Sequence, residues 1–331
     1  MNKKFQDRIG FEGEIKPVLY LVCEDFCLGR YKDHAVVELG YEDFNVVLET
    51  ESGKYFIKFF ANFRDEKDCL RYVNIIEKSI EAGVSCPKLL KSTSGHLYKT
   101  KFQNHDFRLV AMEYVEGESL YQSRIMPTKD EMRFIIKQAA IINQINLKPD
   151  FIYDSWEVVN FLPEFEKKKK YLNDDDLNLI EPIAVELAKT DIGRLPHCFV
   201  HGDLVTTNIM RKKSGQICII DFAVGNYYPR IIELVVLFCN TLFDENDPGR
   251  TAENYDFALK EYQKYIKLTD QELKVLPLLV KATHALWYMT ANFEKKAESN
   301  DGAENEHWLK VSKIGLKFCQ DINFNTRLKK K

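Results

Sequence analysis

The sequence predicts an α+β chain in two lobes: a small antiparallel sheet with one main helix, then a larger, mostly helical part. Three observations carry this. β-rich runs bounded by turn signals fill the first third, and apolar residues recur at helical spacing through most of the rest. The length of 331 residues also suits about two domains at roughly 150 residues each.

Taken in order, Val36 to Leu39, Asn45 to Glu49 and Lys54 to Phe60 read as short strands, and Glu51-Ser52-Gly53 between the last two is a hairpin signal. Cys69, Val73, Ile76 and Ile80 then mark a helix that stops at Gly83, ahead of Pro87. His96 to Thr100 and Arg108 to Val115 return to strand character. Past Gly117 the period changes: Met132, Ile135, Ile136, Ala139 and Ile142 define an amphipathic helix, and Asp175 to Leu187 suggests another. Strand signals recur locally at Cys198 to Val200, Ile209 to Met210 and Ile217 to Ile220, and from Ile231 the chain reads as helix almost to its end. The expected division is 1–112 for the first lobe, 113–117 for a connecting hinge and 118–331 for the second.

Composition limits the partners. Hydrophobic residues at 45% provide for a core, and a net charge of −3 argues against a binder of nucleic-acid backbones. No apolar run approaches the roughly 20 residues of a membrane span. The best, Ile231 to Cys239, is interrupted by Glu233, so no membrane partner is expected. Met1 to Glu14 contains Lys3 and Lys4 without an apolar stretch, unlike a secretory leader. The 8 cysteines form no CxxC pair, and they are expected to be reduced thiols in a cytoplasmic protein. His197-Cys198-x-x-His201 lacks the second ligand cluster that a zinc site needs.

The chemistry concentrates in His201-Gly202-Asp203-Leu204-Val205-Thr206-Thr207-Asn208 and, further on, Asp221-Phe222-Ala223. Lys212-Lys213-Ser214-Gly215 is a second hairpin signal between them, and such a hairpin folds residue 221 back beside residue 208. Two carboxylates and an amide gathered in this way suit phosphoryl transfer. One carboxylate can orient an attacking hydroxyl, while hard oxygen ligands hold Mg²⁺ on the phosphates.

HGDxxxxN followed by an Asp after an apolar strand resembles the aminoglycoside phosphotransferase and choline kinase superfamily, small-molecule kinases with a protein-kinase-like fold. The resemblance spans roughly residues 35 to 320. It implies that Asp203 is the catalytic base and that Asn208 and Asp221 hold Mg²⁺. Lys58, in Tyr55-Phe56-Ile57-Lys58-Phe59, would contact the α/β-phosphates of ATP. Its carboxylate partner would be Glu66, with Asp68 and Glu77 as competitors. Gly40 and Asn45 would belong to the loop over the phosphates, which lacks GxGxxG. In Met112-Glu113-Tyr114-Val115-Glu116-Gly117, the C=O of Glu113 and the N–H of Val115 would meet the adenine edge. Pro229-Arg230-Ile231-Ile232-Glu233-Leu234 is similar to the family's segment after the metal motif, and Glu304-Asn305-Glu306-His307-Trp308-Leu309 to the last helix of type II homoserine kinases.

The expected activity is transfer of the ATP γ-phosphate to a hydroxyl of a small molecule: an amino alcohol, a homoserine-like amino acid, a sugar or an aminoglycoside. The alternatives are a nucleotide-binding pseudokinase and an atypical protein kinase. Retention of Lys58, Asp203, Asn208 and Asp221 weighs against the first. The absence of HRD and of an APE-like segment weighs against the second. Asp154-Ser155-Trp156, Asp244 and the helix of His284-Ala285-Leu286-Trp287-Tyr288 are candidates for lining the acceptor pocket.

Overall fold

The computed structural model describes residues 7–37 and 42–321. They form two compact units: the residues up to Gly117 with Lys212–Ala223, and Glu118–Arg211 with Val224 onward. This corrects the expected division at one point, because the hairpin before Asp221 folds with the first unit. Ile219 N–H donates to Ser85 O at 2.7 Å and Lys213 N–H to Glu116 O at 3.0 Å. Ser85 Oγ also donates to Ile217 O at 2.7 Å.

The first unit is a five-stranded antiparallel sheet of β1 (Tyr31–Val36), β2 (Phe44–Thr50), β3 (Lys54–Phe59), β4 (Tyr98–Phe102) and β5 (His105–Glu113), in the order β1-β2-β3-β5-β4. The Glu51–Gly53 turn closes β2 onto β3, with Thr50 N–H donating to Gly53 O at 2.9 Å. Register then decides which residues share a face. Phe44 lies opposite Phe59 and Val46 opposite Ile57, while Asn45 lies opposite Lys58, itself opposite Val110. The phenylalanine face is covered by α1 (Lys16–Asp25), whose Val18, Leu19 and Val22 join Phe44, Val46, Leu48, Ile57, Phe59 and Leu109 in one core. The sequence reading passed over α1, although Pro17 in its first turn and the apolar residues at positions 18, 19, 22 and 23 are a helix signature. With that face closed, the Asn45–Lys58–Val110 face carries the polar chemistry. Helix α2 (Glu66–Glu81) starts from a capping box of Asp65 and Asp68.

The second unit is helical: α3 (Lys129–Ile142), α4 (Phe161–Lys168), α5 (Asp174–Ala188), α6 (Ile231–Cys239), α7 (Pro248–Tyr262), α8 (Asp270–Ala297) and α9 (Ala303–Asp321). The 28-residue α8 packs against α4, α5, α6 and α9. Helix α6 is buried on every side, so the run Ile231–Cys239, apolar except for Glu233, needs no membrane role. No helix among the described residues is long and apolar enough to cross a membrane. The short antiparallel pair β6 (His197–Val200) and β7 (Asn226–Pro229) sits at the base of the HGD loop.

Helices α8 and α9 meet closely at Gly315 and His284. The imidazole is fully buried, burial pushes it down to about 3, and both ring nitrogens lack a hydrogen-bond partner among the described residues. A Cβ on Gly315 would stand 2.1 Å from His284 Cε1. Gly→Ala inside a helix normally gains about 1 kcal/mol. Here the sign reverses: Gly315→Ala is expected to lose about 1–3 kcal/mol through overpacking. Thermal melts of Gly315→Ala, His284→Ala and the double variant check this, because the penalty of the Gly315 substitution should vanish once the ring is gone.

Candidate active site

In the first unit, Lys58 sits mid-strand with its side chain 4% exposed, and its ammonium lies 3.1 Å from Asp43 Oδ2 and 3.2 Å from Asp221 Oδ1. Burial works against the ammonium, yet Asp221 and Asp43 outweigh it and hold Lys58 firmly protonated. Burial would likewise raise the Asp43 carboxyl, but Lys58 and Arg64 keep it below the usual carboxylate range. Asp221 is 40% exposed and accepts from Ala223 N–H at 3.3 Å as well as from Lys58. Its φ of +60° is uncommon for a residue with a side chain, and such conformations cluster at functional sites. Arg71 anchors the following turn by donating to Ala223 O at 3.2 Å.

Glu66 is corrected as the partner of Lys58. It stands in the first turn of α2 with its carboxylate on Lys99 at 2.9 Å, both side chains 54% exposed. The competitors are also engaged elsewhere, Asp68 in the capping box and Glu77 on His96 at 2.7 Å. Sequence reasoning missed Asp43, which precedes β2 rather than following β3. The available signal was an acid flanking the strand that pairs with Lys58.

Asn45 is brought beside Lys58 by register, and its Oδ1 is buried without a hydrogen-bond partner among the described residues. An orphaned acceptor next to a lysine is what a bound ligand with a donor, or a hydrated cation, would satisfy. Gly40 lies outside the described residues. Glu113 ends β5, its N–H donating to Lys88 O at 3.0 Å, and Val115 lies in the irregular segment that follows.

In the second unit the HGD loop leaves β6 with its backbone bonds assigned one by one. His201 N–H donates to Glu233 Oε2 at 2.7 Å, Thr206 N–H to Asn240 Oδ1 at 2.6 Å and Thr241 Oγ1 to Leu204 O at 2.8 Å. All three partners belong to α6 or the residues just after it. His201 is fully buried, and its Nδ1 accepts from Asp203 N–H at 3.2 Å, so the ring proton resides on Nε2. Its role is to shape the loop.

Asn208 donates through Nδ2 to Asp203 Oδ2 at 2.6 Å and to Asp203 O at 3.1 Å. This fixes the amide orientation and turns Oδ1, a hard oxygen that could hold a cation, away from Asp203. Asp203 and Asn208 are therefore brought together, as are Lys58 and Asp221.

Two further carboxylates stand by the loop. Glu157 is 4% exposed, and a Cβ on Gly202 would lie 3.3 Å from its Oε2. Gly202 has φ of +78°, a backbone conformation that favours glycine, and the Glu157 carboxylate leaves little room for a side chain there. Burial raises the Glu157 carboxyl well above its ordinary value, and Asp154, Glu233 and Asp203 push in the same direction. Burial also raises Asp154, which accepts from Trp156 N–H at 2.8 Å. The segment bearing both acids is pinned by Asn226 to Ile152 O at 3.0 Å, Trp287 Nε1 to Trp156 O at 3.0 Å and Lys168 to Ser155 O at 3.3 Å.

The sheet unit with its buried lysine, and the HGD loop with its Asp–Asn pair, define a kinase-like phosphotransferase. The chain belongs to the Phosphotransferase enzyme family (APH), whose family model matches residues 34–268. It is 21% identical over 272 residues to the homoserine kinase of Rhizobium meliloti (strain 1021), covering 81% of each chain. In fold it is similar to the amicoumacin kinase hAmiN, with a TM-score of 0.70 at 18% identity over 99% of this chain and 100% of that one. A microcompartment-associated aminopropanol kinase gives a TM-score of 0.66 at 14% identity, covering 91% and 95%. The chain is thus a phosphotransferase acting on a hydroxyl acceptor.

Glu233 makes this loop sensitive to pH. Burial pushes its carboxyl up to about 8 against the hydrogen bonds from His201 and Asn143. The folded state therefore retains a proton that the unfolded chain releases near its ordinary value of 4.5, and stability should fall as pH rises between those two values. Glu233→Gln keeps the acceptor oxygen and cannot titrate. The melting temperature of the natural chain minus that of Glu233→Gln should decline from pH 5 to pH 8 and level off above, as melts in a pH series would show.

Proposed function

We propose that the chain transfers the γ-phosphoryl group of ATP to a hydroxyl of a small acceptor that also carries an ammonium group. The observation behind the acceptor class is Glu157 with Asp154. Burial and neighbouring carboxylates disfavour the Glu157 charge, against a single hydrogen bond from Val158 N–H, so an acceptor cation would supply the counter-charge that these acids lack. The similarity to homoserine kinases and the fold of an aminopropanol kinase support the same class, since homoserine and aminopropanol both pair an amine with a hydroxyl.

In this reading Lys58 holds the α/β-phosphates, and Gly40 and Asn45 belong to the loop over them. The Glu113 C=O and Val115 N–H take the adenine edge. Asp221 and Asn208 supply hard oxygen ligands for Mg²⁺, which when bound neutralises charge on the phosphates. Asp203 would receive the proton of the acceptor hydroxyl as the acceptor O–P bond forms and the bond from the γ-phosphorus to the departing ADP breaks. Its carboxylate is already oriented by the Asn208 amide at 2.6 Å.

Turnover of MgATP against homoserine, aminopropanol, choline, an aminoglycoside and glycerol tests the proposal. Phosphorylation of an amine-bearing acceptor is expected, and preference for glycerol would refute the acceptor class. Asp203→Asn should leave ATP affinity near normal and reduce kcat about 10²–10⁴-fold. Glu157→Gln should raise KM for the amine acceptor about 10–100-fold, the scale of a lost buried charge partner, with KM for ATP unchanged.

A further inference from the structure

We propose that Asp43 is the positioning residue of the phosphate lysine, holding the Lys58 ammonium in place, the task that the family resemblance assigns to a carboxylate on α2. This inference rests on the reading of Lys58 as the residue that meets the nucleotide phosphates.

The geometry excludes the helix carboxylates and singles out Asp43. Glu66 spends its charge on Lys99, Asp68 caps its own helix and Glu77 meets His96. Asp43, with a side chain 1% exposed, is bound at both oxygens: Oδ2 on Lys58, and Oδ1 accepting from Arg64 Nε at 3.0 Å and Ala61 N–H at 3.0 Å. Its own carbonyl accepts from Arg8 at 2.9 Å, which ties the N-terminal segment into the arrangement. Ala61 lies just beyond β3, so Asp43 is joined to the strand that carries Lys58. Asp221 also touches Lys58, but it is the exposed member of the pair and has a competing task as a proposed metal ligand. Asp43 is not among the proposed metal ligands, and the titratable groups facing Lys58 besides the two carboxylates are Tyr72 and Arg64.

The test uses the full chain with Asp43→Asn, Asp43→Glu, Glu66→Gln and Lys58→Ala. It measures calorimetric affinity for MgAMP-PNP, KM for ATP beside KM for the preferred acceptor, and thermal melts. Asp43→Asn is expected to weaken MgAMP-PNP about tenfold or more, as a misplaced contact would, and to raise KM for ATP by a similar factor with KM for the acceptor unchanged. A merely structural role would not divide the two KM values in this way. Glu66→Gln should change neither. The inference is overturned if Glu66→Gln reproduces these effects, or if folded Asp43→Asn matches the natural chain in both. Should Asp43→Asn fail to fold, Asp43→Glu, which keeps the charge and shifts the carboxylate by one methylene, is judged by the same outcomes. Unchanged affinity in Lys58→Ala would instead remove the phosphate role of Lys58.

Discussion

A single buried ammonium constrains most of the first unit. Taking an ion out of water costs several kcal/mol, and leaving one unpaired in the interior costs about 3–5 kcal/mol. Lys58 is placed in that position by register, because strand pairing sets it beside Asn45 and Val110 while α1 occupies the opposite face. Two carboxylates must then be carried to it. One comes from the start of β2 and the other from the turn after the returning hairpin, and Arg64 is needed to balance the excess negative charge. By contrast, the exposed Glu66–Lys99 pair is of a kind that contributes about 0–1 kcal/mol. That difference in magnitude explains why the local structure is organised around Asp43 rather than around the helix.

The second unit answers the same problem with neutral groups. Its HGD loop is held by α6, where a fully buried acid and two polar residues just past the helix end receive or donate the loop's backbone bonds. Burial favours the neutral form of Glu233, so the acid beneath the HGD loop is held by hydrogen bonds rather than by a counter-ion. Tyr262 completes the arrangement by donating to Asn143 Oδ1 at 2.6 Å, which leaves the Asn143 amide nitrogen aimed at Glu233 and Phe199 O.

Much of this was legible in the sequence, and the failures have physical causes. The strands around Gly53, helix α2 and the apolar α6 follow from period and turn chemistry, which are local. The HGD-to-Asn spacing was legible because Asp203 and Asn208 lie within one short loop. The pairing of Lys58 was not, since Asp43 and Lys58 become neighbours only through register, and an acid before a strand carries no local mark of burial. The return of Lys212–Ala223 to the first unit was hidden for a similar reason, as it depends on bonds to Ser85 and Glu116, far away in sequence. Glu157 was missed although Asp154 and Trp156 were noticed, because its significance comes from its contact with Gly202.

The placement of the aromatic residues has an optical consequence. The chain has 3 tryptophans, and all of them meet in the second unit. The rings of Trp156 and Trp308 lie 6.2 Å apart and those of Trp287 and Trp308 5.2 Å apart, with Trp156 belonging to the segment that bears Asp154 and Glu157. The described sheet unit has no indole at all. Excited at wavelengths that spare tyrosine, the protein therefore emits from one locality, and a shift in its fluorescence registers events around Asp154 and Glu157 while the lysine-bearing sheet stays dark.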